Sequence, residues 1–141
     1  MADSGDFRNP SLSVDAIALR ERAGVVEVLL IRRGHPPYQG RLAFPGGFVD
    51  LGEDPEDAVL RELLEETNVS GSDPELFAVR GDPERDPRKH IVSIFYLVKV
   101  NPDSVPRAGD DASDAKWIDI SKLKAEDVAG DHISVINELR E

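Results

Sequence analysis

A short stretch of this chain places an arginine and several glutamates at a spacing that suits metal chemistry. Glu62, Glu65 and Glu66 stand three and four residues apart, so on a helix they form one cluster on one side. Arg61 borders that cluster, and Glu53 can reach it from the preceding loop. Like charges at this spacing destabilise a helix and raise one another's pKa values unless a cation neutralises them. The pattern therefore predicts a site for a hard metal ion.

Carboxylate oxygens are the ligands that Mg²⁺ prefers, with Mn²⁺ as a substitute, and Mg²⁺ usually bridges a few protein ligands to substrate phosphates. The expected substrate is therefore phosphorylated. A solvated helix face is the commoner explanation for clustered glutamates. Two features weigh against it. The helix has an expected core stripe at Leu60 and Leu64 opposite the acidic side, where Ala58 lies. The segment 44–47 before the helix is glycine-rich, so the backbone there can approach a ligand.

The same stretch, residues 47–69, resembles the Nudix box. That motif runs glycine, five residues, glutamate, seven residues, arginine, glutamate, an aliphatic residue, any residue, two glutamates, any residue, glycine and an aliphatic residue. The matching residues here are Gly47, Glu53, Arg61, Glu62, Leu63, Glu65, Glu66 and Val69. Asn68 departs from the family glycine, but asparagine is the second choice for a left-handed residue after a helix. The departure leaves the acidic positions untouched.

The resemblance implies a Nudix-type α/β/α sandwich with a mixed central sheet. It also implies hydrolysis of a nucleoside diphosphate linked to another moiety, with water attacking phosphorus. The metal ligands that it implies are Glu62, Glu65, Glu66 and the carbonyl of Gly46. Arg61 would orient a carboxylate, and Glu53 would act through metal-bound water. The identity of the general base stays open, because in several Nudix enzymes it lies on a later loop.

Composition limits the class of protein. A chain of 141 residues predicts a single domain over 1–141, with 1–10 as a flexible N-terminal tail. The absence of cysteine excludes disulfides and thiolate metal sites. The polar start and the lack of a long apolar run predict a cytoplasmic protein that does not enter membranes. A net charge of −11 argues against a nucleic-acid surface.

Apolar patterning predicts the elements that position the acidic cluster. The expected strands are 14–19, 25–31, 76–79, 91–100 and 117–120, the first two joined near Gly24. The run 91–100 is nearly continuous and typical of a central strand. Prolines predict an irregular loop over 32–47, Asp54 and Pro55 predict the start of the acidic helix, and a last helix is expected over 133–140. Periodicity alone supports only an α/β or α+β domain.

Three segments outside the box resemble the short ADP-ribose pyrophosphatases of the Nudix family. They are 85–88 with the strand after it, 109–117, and the pair 131–132. Arg85 and Arg88 are the expected substrate-binding residues, because guanidinium groups clamp phosphate or ribose oxygens bidentately. The alternative is a turn held by local salt bridges, in which Asp86 pairs with either arginine.

Other residues of those segments carry weaker expectations. Trp117 is expected in the core rather than stacked on adenine, and His132 at a helix start rather than in catalysis. Asp110 and Asp111 are candidates for an extra metal ligand or base, with a solvated loop as the favoured alternative.

The favoured function is Mg²⁺-dependent hydrolysis of ADP-ribose to AMP and ribose 5-phosphate. An oxidised nucleoside triphosphate pyrophosphohydrolase is the enzymatic alternative, and a non-catalytic nucleotide-sugar sensor is the alternative of another class. The intact acidic positions, and the lack of room for a winged helix after Trp117, weigh against the sensor. No motif typical of the coenzyme A or NADH pyrophosphatases is present. The expected partner is a small nucleoside diphosphate derivative, and a homodimer is left open.

Overall fold

The computed structural model describes residues 8–141, so residues 1–7 of the expected N-terminal tail lie outside it. Within that range the strands are β1 Ser11–Ile17, β2 Leu19–Arg22, β3 Val25–Arg33, β4 Leu42–Ala43, β5 Gly46–Phe48, β6 Gly71–Arg80, β7 Ile91–Val100 and β8 Ala112–Asp119. The α-helices are α1 Pro55–Thr67 and α2 His132–Leu139, and two short 3₁₀ helices span Ile120–Lys122 and Ala125–Asp127. None of these helices is long and apolar enough to cross a bilayer.

The strands form two four-stranded sheets. The first has the order β5-β1-β7-β6, and in it β1 and β7 run parallel while the other pairs are antiparallel. The second joins β2, β3 and β4 in that order, with β8 also paired to β3. The predicted mixture of parallel and antiparallel strands is confirmed, and β7 lies between two neighbours as its apolar sequence indicated.

Side chains of the inner strands alternate between two cores, one under each α-helix. In β1, Val14 packs in the core with α1, whereas Ile17 packs in the core with α2. In β3, Leu29 faces α1 while Val28 and Leu30 face α2. Successive residues of a strand point to opposite faces, so both faces of these strands are covered. The predicted α/β/α arrangement is confirmed.

The ends of α1 follow the predicted capping chemistry. The backbone N–H of Glu56 donates to Asp54 Oδ1 at 2.8 Å, and Pro55 occupies the first turn. At the other end Asn68 adopts a left-handed conformation with φ of 61°, and its N–H donates to the carbonyl of Leu64. Asparagine therefore fills the position where the family motif has glycine.

The predicted core stripe of α1 is wrong at Leu64, whereas Leu60 is partly buried against the core. Leu64 is 48% exposed, whereas Val59 and Leu63 are completely buried. The buried residues of the helix are Ala58, Val59, Leu63, Glu66 and Thr67, so one acidic side chain shares the core-facing side. Ala58 is likewise packed in the core rather than left open for a loop.

The segment 32–47 and two of the strands also differ from prediction. Two short strands form here, β4 before Pro45 and β5 after it, because β4 pairs with β3 and β5 pairs with β1. Strands β6 and β8 extend well beyond 76–79 and 117–120. Both are longer because pairing with β7 and β3 supports residues whose own β propensity is low. Strand β5 brings Gly46 opposite Asp15, and this pairing positions the site described next.

Candidate active site

A cleft of about 530 Å³ lies between the acidic side of α1, β5, the end of β3 and the segment 85–88. Of the predicted site residues, the structure brings Gly46, Glu62, Glu66, Arg85 and Arg88 to its wall. Glu53, Arg61 and Glu65 lie outside the wall and contact the carboxylate of Glu62 or its neighbours. The predicted residues thus lie close together in two layers, a first layer that lines the cleft and a second layer behind it.

Arg61 joins the carboxylates of the second layer. Its Nε and Nη2 donate to the two carboxylate oxygens of Glu53 at 2.7 and 2.9 Å, which confirms the contact expected from the loop. Its Nη1 donates to Glu62 Oε1 at 2.8 Å and to Glu65 Oε2 at 3.2 Å. Hydrogen bonding from Arg61 lowers the pKa of Glu53 to about 2. One guanidinium therefore orients three carboxylates and keeps Glu53 ionised.

Glu66 is the buried carboxylate of the cluster. It is 8% exposed, and its Oε2 accepts one hydrogen bond, from the backbone N–H of Gly46 at 3.3 Å. Burial, together with the neighbouring Glu62, raises the pKa of Glu66 to about 9, and burial also raises the pKa of Glu62. Burying a carboxylate beside another is costly unless a cation or hydrogen bonds compensate. This side of the cleft therefore favours a bound cation.

The donor set fits a hard divalent cation. A Cβ atom on Gly47 would lie 2.6 Å from the carboxyl of Glu62, so glycine lets the backbone pass directly against the acidic side chains. Glu65 is turned toward Arg61 and is exposed. Within residues 8–141, no three Asp, Glu or His side chains already converge on one metal position. Oxygen donors from Glu62, Glu66 and the 46–47 backbone, completed by water and substrate, match the way Mg²⁺ is usually held.

One part of the cleft wall, here called the cleft floor, consists of the buried Ser13, Asp15 and Ser93 and the partly buried Asp131 and His132. Burial raises the pKa of Asp15 to about 8 and lowers the pKa of His132 to about 4. The backbone N–H of Phe44 donates to His132 Nδ1 at 3.3 Å, which assigns the ring proton to Nε2. That Nε2 lies 4.0 Å from Asp15 Oδ1, with no hydrogen bond between them.

Sequence reasoning missed Asp15 and gave His132 only a role at a helix start. His132 does begin α2, as expected, but it also lines the cleft. The available signal for Asp15 was a carboxylate in the middle of the apolar run 14–19, which requires either a partner or a ligand once it is buried.

Arg85 is bonded bidentately within the cleft. Its Nε and Nη2 donate to Asp131 at 2.8 and 2.7 Å, and its Nη1 donates to Ser93 Oγ at 2.9 Å. Burial alone would lower the pKa of Arg85, but the bonds to Asp131 raise it. Arg85 thereby ties the 85–88 segment to the start of α2. Contact of Arg85 with substrate stays a prediction.

Arg88 pairs within its own turn. Its Nε and Nη2 donate to the carboxylate of Asp86, each at 3.0 Å, as the local salt-bridge alternative proposed. Its guanidinium also lies 5.7 Å from the centre of the Phe48 ring, at the cleft. Contact of Arg88 with substrate likewise stays a prediction.

Arg33 is a cleft residue that sequence reasoning did not single out. It ends β3 and lines the cleft, and its Nε donates to the carbonyl of Pro37 at 2.6 Å. No carboxylate in the described part of the chain lies within ion-pair distance of it, unlike Arg85 and Arg88. The preceding Arg32 bonds to the carbonyl of Gly40 and does not line this cleft. Arg33 therefore offers guanidinium N–H groups that no carboxylate occupies.

Three remaining expectations concern the segment 109–117. Trp117 packs in the core with α1 and donates from Nε1 to the carbonyl of Ser104, so its predicted core role is confirmed. The backbone N–H groups of Gly109 and Asp110 donate to the carbonyls of Glu66 and Glu65 at the end of α1. Asp111 is exposed at the cleft mouth, and a metal-binding or basic role for it or Asp110 stays a prediction.

Comparison with known proteins places the chain in a family. The NUDIX domain model matches residues 9–139. The chain is 37% identical to the ADP-ribose pyrophosphatase of Methanocaldococcus jannaschii, covering 94% of this chain and 74% of that protein. It is 29% identical to an ADPR responsive transcriptional repressor of Acinetobacter baylyi, of which it spans 54%. It is 32% identical to the 8-oxo-dGTP diphosphatase of Escherichia coli, covering 81% of this chain and 86% of that protein.

Solved structures agree with the architecture. The NUDIX domain of Shewanella oneidensis NrtR, crystallised with ADP ribose, superposes with a TM-score of 0.87 at 29% identity, covering 99% of this chain and 92% of that one. A MutT/nudix family protein from Enterococcus faecalis superposes with a TM-score of 0.85 at 32% identity, covering 96% of this chain, which spans 62% of that protein. The family match, the relatives and the fold agree with the acidic cleft, and this chain belongs to the NUDIX domain family as a Nudix hydrolase.

Proposed function

We propose that this protein hydrolyses ADP-ribose to AMP and ribose 5-phosphate in a reaction that requires Mg²⁺ or Mn²⁺. The observation that carries the proposal is the composition of the cleft, in which Glu62 and Glu66 face the same space as Arg33. Carboxylates suit the cation and the guanidinium suits a phosphate, so the cleft has complementary groups for a metal-bound diphosphate. The ADP-ribose pyrophosphatase relative, similar over nearly the whole chain, supports this choice of diphosphate.

The residues proposed to hold the cation are Glu62, Glu65, Glu66 and the carbonyl of Gly46. A bound Mg²⁺ would lower the pKa of a water molecule and offset charge on the phosphate oxygens. Arg61 keeps Glu53 and Glu62 in fixed orientations through short hydrogen bonds. Glu53, ionised at neutral pH and behind the cleft wall, is proposed to act through a water molecule that the cation would hold.

Substrate binding is proposed to use the other wall of the cleft. Arg33 directs its guanidinium to the diphosphate, with Arg85 and Arg88 as the further predicted contacts. Tyr38 and Phe48 line the cleft and are 37% and 41% exposed, so their rings can stack on adenine.

Two relatives favour other functions for the same cleft. The 8-oxo-dGTP diphosphatase supports the alternative of a nucleoside triphosphate pyrophosphohydrolase. The ADPR responsive repressor, and the NUDIX domain crystallised with ADP ribose, support a sensor that binds without hydrolysis. The acidic positions favour hydrolysis, because a sensor has no need for Arg61 to orient carboxylates beside the cleft. We also propose that residues 1–141 form a single domain and that the protein is cytoplasmic. Whether it forms a homodimer stays open.

The direct test is product analysis with purified protein, ADP-ribose and Mg²⁺, using chromatography and mass spectrometry. AMP and ribose 5-phosphate should appear in equal amounts, and chelation of the metal should abolish both. In water labelled with ¹⁸O, one product should carry the label in its phosphate, as expected for attack on phosphorus. Tight binding of ADP-ribose without formation of products in Mg²⁺ or Mn²⁺ would overturn the hydrolase proposal and support the sensor alternative.

A further inference from the structure

The cleft floor contains a hydrogen-bond acceptor and a donor that face each other without bonding. Asp15 Oδ1 lies 4.0 Å from His132 Nε2, which is too far for a hydrogen bond. Asp15 is only 7% exposed. Its carboxyl group has no hydrogen-bond partner among the described residues. Because this carboxyl group lines the cleft, it is available to a donor group of a bound ligand.

The surrounding residues hold both groups in place. The His132 ring packs against both Phe44 and Phe95, with ring centroids 5.3 and 5.4 Å away, and Nδ1 accepts from the Phe44 N–H. Asp15 lies in β1 between β5 and β7, where Gly46 and Phe95 are its partners in the register. The His132 ring is therefore held by its hydrogen bond and packing, and the position of Asp15 is set by the pairing of its strand.

The chemistry of the pair determines which group can fill the gap. A phosphate oxygen could accept from His132 but has no hydrogen to donate to Asp15 Oδ1. A metal ion could bind Asp15 but would meet the N–H of His132, whose other nitrogen is already bonded. A hydroxyl group satisfies both, because it accepts one hydrogen bond and donates another. An oxygen about 2.8 Å from each atom fits a separation of 4.0 Å.

We propose that Asp15 and His132 together bind a ribose hydroxyl of the substrate and thereby select ribosyl over deoxyribosyl ligands. This inference rests on the proposed function, since ADP-ribose offers two sources of that hydroxyl, the adenosine ribose and the terminal ribose. Arg85 acts as a positioning residue for the pair. It bonds to Asp131, which directly precedes His132, and to Ser93, whose hydroxyl lies 2.6 Å from that of Ser13 in β1.

The first test uses the unaltered protein and three ligands. kcat/KM is measured for ADP-ribose, for the analogue lacking the 2′-hydroxyl of the adenosine ribose, and for the analogue lacking the 2-hydroxyl of the terminal ribose. One analogue should lose about 10- to 100-fold, as expected when a hydroxyl bonded to a carboxylate is removed, and the other should lose little. The affected analogue identifies which ribose reaches the floor. Equal values for all three overturn the proposal.

The second test uses Asp15→Asn and His132→Gln, with Asp114→Asn as the control carboxylate outside the cleft. Each floor variant should weaken ADP-ribose binding to the metal-free protein about 10-fold or more by calorimetry, and the control should not. The affected analogue should bind wild type and both floor variants alike, because the hydroxyl is already gone. Thermal unfolding reports whether each variant is folded. If a variant does not fold, the three-ligand test on the unaltered protein still decides the proposal.

A metal measurement separates this role from metal ligation. Mn²⁺ binding, followed by electron paramagnetic resonance, should be unchanged in Asp15→Asn, and a loss of Mn²⁺ affinity would overturn the proposal. The proposed function can fail separately. If wild type neither binds nor hydrolyses ADP-ribose, its binding of ribonucleoside triphosphates is compared with its binding of 2′-deoxyribonucleoside triphosphates. Equal binding of those two would then overturn the hydroxyl site as well.

Discussion

The two ends of the cleft differ in how their charged groups are stabilised. At the α1 end, Glu53 of the entry loop and Glu62 and Glu65 of the helix share one arginine and lie within a short stretch of sequence. At the cleft floor, Asp15 and His132 come from opposite ends of the chain, and burial disfavours the charged form of each. At the α1 end Arg61 lowers the pKa of Glu53 and keeps it ionised, whereas at the floor burial lowers the pKa of His132 and keeps it neutral at pH 7.

This difference suggests a division of work within one site. Ionised carboxylates held by a guanidinium are suited to a cation and to the reaction at phosphorus. A hydrogen-bond donor and acceptor at a set distance are suited to recognising a hydroxyl group. A ligand that lacks this hydroxyl leaves both groups without a partner, which costs binding free energy. Substitutions at α1 should therefore change kcat, and substitutions at the floor should change substrate choice.

The largest effect is expected for Glu66→Gln. Loss of a carboxylate proposed to hold the cation should lower kcat by about 10²-fold or more. The metal-free variant should be as stable as wild type or more stable, because Glu66, with a pKa of about 9, is already mostly protonated at pH 7. Steady-state kinetics and chemical unfolding measure the two effects. Wild-type turnover by this variant in Mg²⁺ would contradict the assignment of Glu66.

Gly47→Ala should disturb the same end without removing a charge. The new Cβ would lie 2.6 Å from the carboxyl of Glu62, which must move, and a displacement of about 1 Å can cost about 10²-fold in rate. We expect kcat to fall at least about tenfold with a small change in unfolding free energy. Gly109→Ala is the contrasting variant, because its Cβ would meet the backbone carbonyl of Glu65 and should reduce stability instead. Unaltered kcat in Gly47→Ala would show that Glu62 need not stay where it lies.

Arg33→Ala tests the wall between the two ends, with Arg32→Ala as its neighbour on the other side of β3. Removing an unpaired guanidinium that binds the diphosphate should raise KM for ADP-ribose by about 10- to 100-fold, the range for a hydrogen bond to a charged group. Arg32→Ala should leave KM near wild type, since Arg32 bonds outside the cleft. Equal KM values for the two variants would remove Arg33 from the substrate site.

The smallest effect is the pH dependence of stability that His132 contributes. Its pKa is about 4 in the folded protein and 6.5 in the reference state, so only the unfolded chain takes up its proton between those values. The contribution is present above pH 6.5 and is lost as pH falls toward 4. Relative to His132→Gln, wild type should lose about 1.4 kcal/mol of unfolding free energy per pH unit in that window. Urea titrations at pH 7, 6 and 5 measure this difference, and parallel curves would place His132 in a solvated environment.

Much of the α1 end could be predicted from sequence because its geometry is local. The spacing of Glu62, Glu65 and Glu66, the cap at Asp54 and the reach of Glu53 all follow from one helix and its entry loop. The rotation of that helix could not be predicted in the same way. Both 60/64 and 59/63 are apolar pairs, and packing against β1 and β6 selects the second.

The floor could not be predicted because its members meet only through sheet topology. Asp15 reaches the cleft when β1 pairs with β5 and β7, and His132 reaches it from the far side, at the start of α2. Arg85 looked like a free phosphate ligand in sequence, but a distant carboxylate, Asp131, holds it. Such pairings depend on contacts between segments far apart in the chain, which neither spacing nor composition records.

The most direct test of the central claim is the ratio of kcat/KM for ADP-ribose to that for 8-oxo-dGTP, measured at equal Mg²⁺. A cleft that joins the acidic end of α1 to a ribose-reading floor should favour ADP-ribose by at least about tenfold, about 1.4 kcal/mol of transition-state discrimination. Preference for the triphosphate, with pyrophosphate as the main product, would contradict the claim and leave only the metal-binding end of the account standing.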